Sequence, residues 1–130
     1  MDSTGAWLSS PVDNETVLTG GHDMANEYIV QYTTPTITVR FDTVNVANIT
    51  DAYLTFKSGE TTILSLGMLR AIVDAQSKTV SWTLTQLETK AFPLGKTVLC
   101  YCDWLLNDGT RGRSDRQIYL IEETGKAEVI

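Results

Sequence analysis

Thr97-Val98-Leu99-Cys100-Tyr101-Cys102-Asp103-Trp104-Leu105-Leu106 is the longest apolar run of the chain, and its reading decides the fold. Side chains alternate between the two sides of an extended backbone. Val98, Cys100, Cys102 and Trp104 therefore share one face, and Leu99, Tyr101 and Leu105 share the other. Apolar character on both faces predicts a strand covered on both sides, by its own domain or by a partner. Asn107-Asp108-Gly109-Thr110 follows at once, and the Asp-Gly step predicts a type I′ hairpin turn. After a polar stretch, Gln117-Ile118-Tyr119-Leu120-Ile121 reads as the last strand.

Upstream, the same alternation recurs. Thr79-Val80-Ser81-Trp82-Thr83-Leu84 puts Val80, Trp82 and Leu84 on one side. Leu69-Arg70-Ala71-Ile72-Val73 precedes it across a hairpin loop at Asp74-Ala75-Gln76-Ser77. Thr36-Ile37-Thr38-Val39-Arg40-Phe41 and Ala52-Tyr53-Leu54-Thr55-Phe56-Lys57 alternate cleanly, with Ile37, Val39, Phe41, Leu54 and Phe56 inward. Tyr28-Ile29-Val30-Gln31-Tyr32 and Thr61-Thr62-Ile63-Leu64-Ser65-Leu66 complete the set. The polar connection Asp42 to Asp51 offers Val44, Val46 and Ile49 to the interior. One helix start stands out: Thr85-Gln86-Leu87-Glu88 matches a capping box, in which Thr85 takes the N3 amide proton and Glu88 reaches back. Pro93 and Gly95 stop it. A helix over about residues 85–91 is too short to stand alone. Leu87 and Phe92 are expected to plug an end of the core.

Seven or eight short strands with turn signals roughly every ten residues, plus one short helix, predict an all-β, antiparallel, immunoglobulin-like β-sandwich. Residues 1–25 read as an irregular N-terminal arm with a candidate short strand at Thr16-Val17-Leu18; 26–122 form the sandwich, and 123–130 a C-terminal tail.

Charge narrows the partners. The chain has 130 residues, with 10 Lys+Arg against 16 Asp+Glu and a net charge of −6. Phosphate affinity is supplied by Lys and Arg, so neither nucleic acid nor an anionic membrane surface is an expected partner. No run approaches the ~18 apolar residues of a membrane span. Met1-Asp2-Ser3-Thr4-Gly5 lacks the basic and apolar regions of a secretory signal. Cytosolic synthesis with two reduced, buried thiols at Cys100 and Cys102 is expected.

Groups suited to catalysis are few. His22, the single histidine, sits in a turn-rich segment after Gly20-Gly21. A nucleophilic thiol needs a helix N-terminus or a positive neighbour, and both cysteines lie mid-strand among apolar residues. The carboxylates are scattered, without the apolar setting that acid–base work requires. Neither the Asp13-Asn14-Glu15 nor the Asn107-Asp108-Gly109 cluster has calcium-loop spacing. No cofactor, metal or catalytic residue is expected. Arg111, Arg113 and Arg116 form a local basic patch, read either as a solvated turn or as an ion-pairing surface for an acidic neighbour.

The second half, from Ala52 to Ile130, resembles small structural proteins of tailed bacteriophages, including the N-terminal immunoglobulin-like domain of upper baseplate proteins. The resemblance lies in Trp82-Thr83-Leu84 leading into Thr85-Gln86-Leu87-Glu88-Thr89, then Phe92-Pro93-Leu94-Gly95-Lys96, then the strand ending Trp104-Leu105-Leu106. Asn107 to Arg111, Ser114-Asp115, Ile118-Tyr119-Leu120 and the ending Glu128-Val129-Ile130 continue it. The first 25 residues depart from the pattern, and the long extension that follows the domain in baseplate proteins is lacking, so no receptor-binding role is carried over. The resemblance implies a virion structural protein of tail, baseplate, neck or capsid, made in the host cytoplasm. It would pack in many copies against itself and other virion proteins. The expected interface residues are Trp7, Arg111, Arg113, Val129 and Ile130, since interface energy concentrates in a few anchors. The alternative is a carbohydrate- or cell-surface-binding module using Tyr28, Tyr32, Tyr53 or Tyr119 as stacking platforms.

Overall fold

The computed structural model describes residues 27–130 and, before them, the backbone of one strand, Ala6–Ser9. The strands are β1 (Ala6–Ser9), β2 (Glu27–Val30), β3 (Thr36–Phe41), β4 (Ile49–Ser58), β5 (Thr61–Leu66), β6 (Ile72–Asp74), β7 (Thr79–Thr83), β8 (Thr97–Leu106), β9 (Arg111–Arg113) and β10 (Gln117–Glu122), with helix α1 (Gln86–Lys90) between β7 and β8. They form two sheets. One has the order β1-β3-β7-β6; the other has the order β2-β10-β8-β4-β5, with β9 pairing β8 beyond the hairpin. The first is the four-strand arrangement of an immunoglobulin sandwich, and β10-β8-β4 is its facing three-strand core. The protein is an immunoglobulin-like β-sandwich.

One buried cluster joins the sheets. Ile37, Val39 and Phe41 of β3 and Val80 and Trp82 of β7 face Ala52, Leu54 and Phe56 of β4 and Val98, Cys100, Cys102 and Trp104 of β8. The alternation therefore selects the predicted faces. Phe41 meets Trp104 edge to face across the sandwich at 5.0 Å, a geometry that suits the opposed charges of ring edge and ring face. The buried Trp82 indole donates its N–H to the Gly67 carbonyl at 2.9 Å, so its one polar atom is satisfied. Val46 and Ile49 turn inward from the connection before β4, and Val44 packs beside them. The Cys-Trp-Cys arrangement of antibody domains is absent: both cysteines lie on β8 and are free.

Several expectations change. Ala6–Ser9 pairs with β3, where the sequence predicts an irregular arm; Trp7 stands opposite Arg40. The candidate strand at Thr16-Val17-Leu18 lies outside the described residues. β2 runs parallel to β10, the one departure from an antiparallel scheme among the described residues, because the chain leaves β2 to cross into the other sheet. Tyr32, at φ 65°, makes that crossing turn. The predicted strand 69–73 survives only as Ile72–Asp74, since Met68–Arg70 winds into a 3-10 turn. The Asp-Gly hairpin is not type I′. Its three-residue loop 107–109 closes with Leu106 N–H on the Thr110 carbonyl at 2.8 Å and Gly109 N–H on the Leu106 carbonyl at 2.9 Å. Only Gly109 has positive φ (91°), which matches a type I turn with a G1 bulge.

The capping box forms as read. Glu88 N–H donates to the Thr85 hydroxyl at 3.1 Å, and Thr85 N–H donates to Glu88 Oε1 at 2.8 Å. The inward face of α1 differs. Phe92 is buried and stacks against Phe56 at 5.1 Å, but Leu87 is 63% exposed. Thr89 takes the inner position instead, donating to the Thr33 carbonyl at 2.9 Å and accepting from Thr33 N–H at 3.1 Å.

Candidate interaction surfaces

The two thiols show first what the interior cannot do. Cys100 and Cys102 are fully buried, and burial pushes both far above the ordinary thiol range. A thiolate nucleophile needs the opposite shift. Cys102 N–H is instead bound by the Ser114 hydroxyl at 3.0 Å, so this stretch of β8 is anchored structurally. His22 lies outside the described residues. Among the described residues, no three His, Cys, Asp or Glu side chains gather where a metal ion would sit.

The predicted basic patch is split by the fold. β9 pairs with the end of β8, setting Arg113 opposite Asp103 and Arg111 opposite Leu105. Arg113 Nε reaches Asp103 Oδ1 at 2.7 Å, and its guanidinium lies 4.3 Å above the Tyr101 ring. The Asp103 carboxylate raises the Arg113 pKa, with burial working against it. The Arg113 charge is thus engaged within its own sheet. Arg111 is exposed and lines a cleft of about 250 Å³ with Asp51, Tyr53, Asp103, Trp104 and Leu105. Tyr53 donates its hydroxyl to Asp51 Oδ2 at 3.0 Å, and that bond raises its pKa.

The outer face of β8 is half covered. Leu99, Tyr101 and Leu105 are partly buried, neither sealed nor open. The tyrosines considered as stacking platforms do not form a row. Tyr119 is buried in the core, and Tyr32 is half-buried in the crossing turn. Tyr28 and Tyr53 are exposed on the same sheet, but strands β10 and β8 lie between them.

Trp7 belongs to β1, and its backbone is fixed opposite Arg40 at an edge of the four-stranded sheet. Val129 and Ile130 return to the body beside α1. Val129 lines a groove with Thr34, Thr83, Leu84, Thr85, Gln86 and Leu87. Gln86 holds Ile130 by two bonds: its Nε2 donates to the Ile130 carbonyl at 3.1 Å, and its Oε1 accepts the Ile130 N–H at 2.8 Å. The structure therefore keeps the five predicted residues apart. The arm strand marks one sheet edge, the arginines lie at the β8–β9 corner, and 129–130 lie at the helix.

Two exposed apolar places, Leu69 with Ile72 and Val73 and, separately, Leu87, escape a reading of the sequence alone. Leu69 is fully exposed, with Ile72 and Val73 beside it on the edge strand β6. Leu87 joins Val129 at the groove. The second had a signal. Thr89 and Phe92 stand three apart and share a helical face, while Leu87 lies about 200° round from Thr89 at ~100° per residue. Gln86 and Arg70 had none, because their partners are distant in sequence. Arg70 clasps Glu88 with its two terminal guanidinium nitrogens, Nη1 and Nη2, at 2.8 and 2.9 Å.

No protein-family model and no curated protein matches the chain. Among solved structures it is similar to the fibronectin(III)-like modules of Clostridium thermocellum CbhA, at 16% sequence identity and a TM-score of 0.45, over 85% of this chain and 96% of that one.

Proposed function

We infer that this chain is a non-catalytic structural module of a bacteriophage virion, packed in many copies against itself and other virion proteins. The observation that carries the packing part is the grouping of large apolar side chains outside a complete core. Leu69, Ile72 and Val73 are exposed on and just before the edge strand β6, and Leu87, Val129 and Ile130 are exposed at the end that carries α1. Scattered surface hydrophobics need no explanation, but grouped ones mark contact sites. The inert thiols and the turn-bound carboxylates support a non-catalytic reading. The Asp74 carboxylate accepts from Ser77, and Asp108 accepts from Thr110; both bonds hold the carboxyls below their ordinary values. Such groups shape loops. The virion assignment rests on the resemblance of residues 52–130 to phage structural proteins. Mass spectrometry of density-purified particles from the source lysate tests it. The expected result is this chain at a stoichiometry of many copies per particle. Its recovery only from the particle-free fraction would end the assignment.

A further inference from the structure

Residues 123–130 leave β10 and come to rest on α1. The last backbone bond from this end to the sandwich is that of the Glu122 carbonyl with Gln31 N–H, at 2.9 Å. From there to Glu128 the bonds are internal. Lys126 N–H donates to the Thr124 hydroxyl at 3.4 Å, Glu128 N–H donates to the Lys126 carbonyl at 2.9 Å, and Lys126 Nζ pairs with Glu128 at 3.0 Å. Val129 forms one wall of an open groove of about 420 Å³, and Ile130 is held by both ends of the Gln86 carboxamide.

The receiving side is built independently of what it receives. The Thr85–Glu88 capping box and the Arg70–Glu88 clasp fix the first turn of α1, and the buried Thr89 and Phe92 fix its inner face. The tether from 123 to 128 holds no hydrogen bond to the body among the described residues. When seated, Val129 remains 51% exposed and Ile130 82% exposed, next to the open Leu87. The seat thus satisfies the backbone of Ile130 while leaving an apolar patch uncovered. Seating the segment in a second copy would remake the same two bonds, and a contact between the two bodies at this end would cover the patches that the seat leaves open. Exchange of an identical element between copies is a low-cost route to a symmetric dimer.

We propose that residues 123–130 of one copy seat on the Thr85–Leu87 groove of a second copy, reciprocally, with Ile130 paired to Gln86 and the Leu87, Val129 and Ile130 patches closed against each other. The partner is another molecule of this chain, which deepens the multi-copy packing reading and rests on it for that identity.

Mixing two variants of the 130-residue chain, each with one added cysteine, tests the exchange. Leu87→Cys and Val129→Cys cannot bridge within one molecule, and the buried Cys100 and Cys102 do not compete. Mild oxidation of the mixture should give a covalent heterodimer in higher yield than either variant alone gives homodimer. Gln86→Leu keeps the capping box and removes both bonds to Ile130; it should weaken the dimer roughly tenfold or more in sedimentation equilibrium. Absence of the heterodimer, with the double variant bridging only within monomers, would overturn the proposal. So would an oligomer whose dissociation constant is unmoved by Gln86→Leu and by removal of residues 124–130. In that last case packing through another surface would stand, and the particle measurement above would judge it separately.

Discussion

Trp82 and Leu87 stand on either side of one helix cap, and both are large and apolar. Trp82 lies wholly inside, with its indole N–H bound by Gly67 and its ring among both sheets. Leu87 lies outside, on the face of α1 turned from the core. The difference teaches that apolar character here has two uses. Inside, burial stabilises the fold at about 25 cal/mol per Å² removed from water. At the rim it contributes nothing until another surface arrives.

The largest effect should separate the two residues. Trp82→Ala is expected to cost about 3–5 kcal/mol in denaturant unfolding, and Leu87→Ala less than about 0.5 kcal/mol. Comparable losses at both would break the contrast.

Next comes Gly112, directly opposite Trp104 on β9. A Cβ there would lie well inside contact distance of the Trp104 ring. That ring is wedged against Phe41, so it cannot swing away freely. Gly112→Ala should cost about 1–3 kcal/mol by overpacking. A thermal melt unchanged by the substitution would show that the β8–β9 corner is slack and belongs with the rim.

Tyr119 tests the interior from the other side. Its hydroxyl is buried with no hydrogen-bond partner among the described residues, and burial pushes its pKa far up. Replacing an unsatisfied buried group by an apolar one of the same shape is neutral or favourable. Tyr119→Phe is expected to stabilise by about 1 kcal/mol. A clear loss of stability would mean that the hydroxyl is satisfied in solution.

The smallest effect concerns the clasp between core and rim. Arg70 first, then the bonds from Thr85, hold the Glu88 carboxyl below its ordinary value against the opposing effect of burial. A carboxyl depressed on folding stabilises fully above its unfolded pKa and loses that contribution as pH falls through the folded one. Glu88→Gln keeps a capping acceptor but loses the charge. The gap in melting temperature between the parent and Glu88→Gln should be widest near neutrality and should close as pH falls below the ordinary carboxylate range. A gap constant with pH would place the Glu88 contribution in its hydrogen bonds alone.

Much of this contrast can be read from residue order. Strict alternation names Ile37, Val39, Phe41, Leu54, Phe56, Val80 and Trp82 as interior, because a sheet face leaves an extended chain no other way to bury them. The capping box is equally local: Thr85 and Glu88 stand three positions apart and satisfy each other. The misreadings share a cause. Apolarity alone points Leu87 inward, whereas the buried Thr89 and Phe92 set the phase of the short helix. The stretch 69–73 alternates too briefly to outweigh the turn at Met68–Arg70. The Arg111–Arg113 patch looks like one feature along the chain, yet pairing with β8 gives Arg113 to Asp103 and leaves Arg111 at a cleft.

The chain's own order of residues determined a two-layer β-sandwich, its inward faces and its one capped helix. All of these follow from side-chain alternation and contacts a few residues long. Tertiary structure alone decided that β2 runs parallel beside β10, that Arg70 clasps Glu88, that Gln86 receives Ile130, and which apolar groups remain outside. Those outcomes depend on segments far apart in sequence meeting in space. No local pattern carries that information, since the partner of each group is chosen by the packing of the whole.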